Sequence, residues 1–110
     1  MATKKKETLK LEDKELRDYE LVYIISPEVP EESIEAVINN VSQFITGKEG
    51  VISNVDQWGR RRLAYPIKHF KEGYYVLASF QMSPVWSKEL EASLEISEEV
   101  IRHLLIKLDS

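Results

Sequence analysis

The chain has 110 residues, with 15 Lys or Arg against 19 Asp or Glu for a formal charge of −4, a length that suits one domain with a core of ordinary size. At 43% apolar and 31% charged it reads as a soluble globular protein. No run approaches the roughly 18 apolar residues of a membrane span, and the basic start Met1–Glu7 leads into no apolar signal segment. Zero cysteines exclude disulfides, cysteine-ligated zinc and thiol catalysis, and leave the cytoplasm as the default compartment.

Residues 1–17 mix six basic with four acidic side chains and hold only three leucines, Leu9, Leu11 and Leu16. Alternating charge without a wide apolar stripe predicts a mobile charged N-terminal extension, or a short helix ordered only on a partner. The folded domain is then residues 18–110.

From Tyr19 to Ile25 the sequence is rich in β-branched and aromatic residues and stops at Ser26-Pro27, which predicts a strand. Ile34, Val37, Ile38, Val41, Phe44 and Ile45 then recur at helical spacing, with Glu31, Glu32 and Glu35 near the positive end of the helix dipole. Gly47 and Gly50 are the expected stop signals. Val51–Trp58 reads as a second strand, bulged or bent at Gly59 and continuing through Tyr65. Pro66 has no N–H to give a sheet ladder, so this strand belongs at an edge or ends there. A basic loop leads to a third strand over Gly73–Met82. Ser83-Pro84 supplies the cap and first-position signals of a second helix, in which Trp86, Leu90 and Leu94 repeat every four residues. Val100–Leu108 is the last strand.

The order β-α-β-β-α-β describes an α+β fold, the ferredoxin-like sandwich: a four-stranded antiparallel sheet with two helices on one face. Side chains alternate along a strand. Leu21, Tyr23, Ile25, Val76, Ala78, Phe80 and Met82 form the fuller set and should face the helices. The open face then carries Val22, Ile24, Tyr75 and Leu77, with Leu104 or Leu105 beside them, and an apolar sheet face of that size calls for a partner.

The most unusual stretch is Trp58–Lys71. Between residues 60 and 71 lie five Lys or Arg and no acid, more than half of the nine cations that follow Arg17. Arginine's planar fork suits phosphate, and an aromatic ring can stack on a base. A plain alternative is a solvated strand that happens to be positive. Catalytic signals are sparse by comparison. The two histidines, His69 and His103, have no cysteine or spaced carboxylate pair to make a metal site. The four glycines are isolated, so no phosphate loop exists. Glu31-Glu32 and Glu98-Glu99 are adjacent pairs, and neighbours on a helix diverge. No enzyme, cofactor, metal or small-molecule substrate is expected.

The run Trp58-Gly59-Arg60-Arg61-Arg62-Leu63-Ala64-Tyr65-Pro66-Ile67-Lys68, followed by Glu72-Gly73-Tyr74-Tyr75, resembles the signature of the bacterial ribosomal small-subunit protein six family. Tyr19-Glu20 leading to Ser26-Pro27-Glu28 fits the same pattern, and the resemblance spans about residues 18 to 108. It implies a non-catalytic, ferredoxin-like, ribosome-associated cytoplasmic protein. Such a protein would bind the central domain of small-subunit ribosomal RNA together with small-subunit protein eighteen. By position it implies RNA contact near Arg60, Arg61, Arg62, Tyr65, Lys68 and Lys71, and a partner against Val22, Ile24, Tyr75 and Leu77. The lysine-rich extension is outside the pattern.

Two other classes share this fold. A reader of single-stranded RNA would stack bases on aromatics of the central strands, yet Lys71–Tyr75 lacks that signature's second small residue, and Val22 and Ile24 stand where a ring is wanted. A sensing or dimerising module would pair its open sheet with itself.

Overall fold

A computed structural model of the protein describes residues 15–108. The expectation for residues 1–17 therefore lies outside the described residues except at its end, where Arg17 already belongs to the first strand. The elements are β1 (Arg17–Ile25), α1 (Glu31–Gly47), β2 (Val51–Ile67), β3 (Phe70–Met82), a short 3-10 turn (Pro84–Trp86), α2 (Ser87–Ile96) and β4 (Val100–Leu108). All strand pairs are antiparallel, and the sheet order is β2-β3-β1-β4. The expected ferredoxin-like architecture is present, with β2 as an edge strand where Pro66 is harmless.

One face of the sheet packs on both helices. Tyr19, Leu21, Tyr23 and Ile25 of β1 and Val76, Ala78, Phe80 and Met82 of β3 are buried there. They meet Ile34, Val37, Ile38, Val41 and Ile45 of α1 and Leu90 and Leu94 of α2. The alternation in both central strands is as the sequence predicts. Ser83 caps the 3-10 turn, its Oγ accepting from the Val85 N–H at 3.4 Å, and that turn runs directly into α2.

The end of α1 differs from expectation. Gly47 is still helical, and the left-handed residue that turns the chain is Glu49, at φ 66°. The Gly50 N–H closes the helix on the Ile45 carbonyl at 2.9 Å. Gly50 serves a different need, close approach: a Cβ there would lie 2.8 Å from the Ile45 carbonyl oxygen and 2.9 Å from that of Gln81.

Burial raises the Tyr23 phenol well above its ordinary value. Below about pH 10 the phenol is neutral in the folded and the unfolded chain alike, and stability does not depend on it. Above that, the unfolded chain releases the proton while the fold retains it. Stability should then fall by up to about 1.4 kcal/mol per pH unit until the folded phenol ionises. Urea unfolding between about pH 9 and 11 should show a steeper loss for the wild type than for Tyr23→Phe. Equal slopes would mean that Tyr23 ionises in place.

Candidate nucleic-acid and partner interface

The β1–β3 pairing ends at Ile25↔Tyr74, whereas β2 and β3 pair on through Arg62↔Glu72 and, after an irregular stretch at residues 63–66, again at Ile67↔Phe70. The basic stretch is thus a two-stranded arm that overhangs the sheet. The basic loop expected between the strands is only a two-residue turn at the tip of this arm. Lys68 and His69 are both left-handed (φ 50° and 60°), the geometry that matches the twist of a hairpin. Gly59, at φ 89°, sits at a register shift in β2 and marks the predicted bulge.

Register decides where the arm's charges point. Arg61 lies opposite Gly73, on the open-face side, while Arg60 (opposite Tyr74) and Arg62 (opposite Glu72) fall on the other side. The three arginines therefore cannot meet one flat surface together. All five arm cations are exposed. Among the described residues none of them pairs with a carboxylate, Arg62 and Glu72 included; the described ion pairs involve Arg17, Lys48 and His103. A cation with no acid partner is available to an external anion.

The aromatic side chains of the arm make contacts within the protein while staying partly exposed. Trp58 stacks on Tyr75 with ring centroids 6.2 Å apart and planes 16° from parallel. The indole N–H donates to Asp56 Oδ2 at 3.3 Å. The Arg61 guanidinium lies 5.8 Å from the Trp58 ring centroid. Trp58 remains 39% exposed, with one ring face on Tyr75. It holds Arg61 at the boundary between the arm and the sheet.

The open face is narrower than the sequence suggests. Val22 pairs with Leu77 on one side and Leu104 on the other, so Leu104, 58% exposed, is the β4 member, and Leu105 packs against the core. Val22, Leu77 and Tyr75 are half-buried. Ile24, expected among them as a partner contact, is only 6% exposed and must be corrected: it is the centre of a second apolar cluster with Leu63 and Ile101, flanked by Ile67, Phe70 and Tyr75. The arm bends back over the end of the sheet and covers it. That bend brings Tyr65 within reach of β4, where Arg102 Nη1 donates to the Tyr65 hydroxyl at 3.4 Å. Arg102, a surface cation at this site, was missed by sequence reasoning. It stands alone between Ile101 and His103, and only pairing with β1 brings it to the arm.

Among the described residues no group of three His, Asp or Glu side chains is placed to hold a metal ion. None of their helices is long and apolar enough to cross a membrane. The arrangement offers charge and shape.

The ribosomal protein S6 profile matches residues 18–107, nearly all of the folded part. The chain belongs to the ribosomal protein S6 family. It is similar to the small ribosomal subunit protein bS6 of Moorella thermoacetica, 43% identical over 94 residues that cover 86% of this chain and 96% of that one. The bS6 of Dehalococcoides mccartyi is 43% identical over 103 residues, covering 94% of each chain. Among solved structures, the 30S ribosomal protein S6 of Thermotoga maritima superposes with a TM-score of 0.81 at 35% identity, covering 86% of this chain and 89% of that one. As an S6 family member the protein is a structural, non-enzymatic component of the translation apparatus.

Proposed function

We propose that this S6 family protein is a structural constituent of the small ribosomal subunit in the cytoplasm. In this reading it binds the central domain of small-subunit ribosomal RNA jointly with small-subunit protein eighteen. The observation that carries the reading is the overhanging basic arm, whose five exposed cations have no carboxylate partner among the described residues. The RNA lies along the arm, meeting at least two of Arg60, Arg61 and Arg62 together with Lys68 and Lys71, with Tyr65 beside them. The partner protein covers Val22, Leu77, Tyr75 and Leu104, while Ile24 supports the arm from beneath. Phosphate affinity grows with the number of contacts, and a chain of charge −4 offers few, so a basic partner is needed to complete the site.

The test is a salt-titrated binding assay with central-domain RNA, with and without protein eighteen, on the wild type and on a variant carrying Arg60→Ala, Arg61→Ala and Arg62→Ala. Two lost phosphate contacts should lower the salt slope by about 2. At about 1 kcal/mol each they should weaken binding roughly 30-fold. Tight binding by the isolated protein, indifferent to the three arginines, would rule the reading out. A single-strand reader is disfavoured by the Trp58–Tyr75 stack, because the central-strand ring such a protein would present to a base is already covered.

A further inference from the structure

We infer that Arg102, with Lys68, forms a second phosphate-binding position, so that the RNA surface crosses from the arm onto β4. The inference rests on the RNA reading above and adds a site that lies outside the basic stretch. Arg102 faces the open side of the sheet opposite Ile24. It is exposed and pairs with no carboxylate among the described residues. Its hydrogen bond to Tyr65 fixes it against the arm and leaves its remaining guanidinium N–H groups free to donate. It borders an open cleft of about 370 Å³, lined also by Ile67 and Lys68 of the arm tip, Leu94 and Glu95 of α2, and Val100, Ile101 and His103 of β4. Two cations from segments far apart in sequence thus meet at one opening. His103 is already engaged, 3.7 Å from Glu91. Glu95 is the one acid among the lining residues, against the two cations Lys68 and Arg102.

The ligand chemistry is that of a backbone phosphate. The opening is wide, and a fork of N–H donors beside a lysine at its mouth suits a phosphodiester oxygen pair, with Ile67, Leu94, Val100 and Ile101 as the apolar part of the lining. This also explains the arm's bend: it places Lys68 at β4 instead of projecting it away.

The experiment uses the full chain with protein eighteen and central-domain RNA, comparing wild type, Arg102→Gln, Arg102→Lys and Lys68→Gln, with thermal unfolding of each variant. Arg102→Gln should weaken binding 5- to 10-fold and reduce the salt slope by about 1. Lys68→Gln should do likewise, and Arg102→Lys should restore the slope, because a phosphate contact needs the charge. An unchanged slope in Arg102→Gln overturns the inference. So does a binding loss that tracks a lowered melting temperature and is not rescued by lysine, which would make Arg102 a brace for the arm alone. If the wild type shows no salt-dependent binding, the RNA reading itself fails, and this inference fails with it.

Discussion

Replacing Gly73 by alanine is expected to lower the unfolding free energy by about 2–3 kcal/mol, the upper part of the usual overpacking range. Gly73 is buried where β3 leaves the sheet for the arm, opposite Arg61. A Cβ there would collide with the Ile24 Cγ2 methyl and would sit 3.3 Å from the Ile25 carbonyl oxygen and 3.7 Å from Ile101 Cδ1. Ile24 cannot easily swing aside. It is β-branched, hence stiff at χ1, and Leu63 and Ile101 close over it. With a denaturant slope of about 1 kcal/mol/M for a domain of this size, the urea midpoint should drop by about 2–3 M. A midpoint within about 0.5 M of wild type would show that the cluster repacks freely.

Leu63→Ala should cost about 2–4 kcal/mol, because it empties the side of the same cluster that belongs to the arm. The distinguishing result is where the loss appears. Leu63 joins the arm to Ile24 and Ile101, whereas the main core under the helices does not include it. Amide exchange should therefore speed up first in residues 61–72, with β1 and the α1 face still protected. RNA affinity should fall as well, since a freed arm must be re-ordered on binding. Uniform loss of protection along the chain would instead make the arm part of one cooperative unit. In a double variant with Gly73→Ala, the cavity left at Leu63 gives Ile24 room to move, so the two penalties should sum to less than their separate values.

The two variants mark the limit of what the residues alone disclose. Local patterns determined the element order, the core alternation of Tyr19–Ile25 and Val76–Met82, the edge position of the Pro66 strand and the bulge at Gly59, because each follows from periodicity 2 or 3.6 or from a backbone rule acting within a few residues. The concentration of cations at 60–71 was likewise visible, and the Arg-Arg-Leu-Ala-Tyr-Pro-Ile string was enough to suggest the family that the profile match then showed. The α1 ending was misread because two glycines nearby look like stop signals, while Glu49 accepted the left-handed geometry instead.

What only the tertiary structure decided depends on register and on contacts between distant segments. Pairing with β3 splits Arg61 from Arg60 and Arg62, and the bulge turns Trp58 onto Tyr75. The bend of the arm buries Ile24 beneath Leu63 and carries Tyr65 to Arg102, 37 positions away in the chain. Nothing in the neighbourhood of Arg102 in the sequence distinguishes it from a solvated strand residue. Its place beside the arm comes from the β1–β4 pairing and the second apolar cluster, and both are the result of long-range hydrophobic packing.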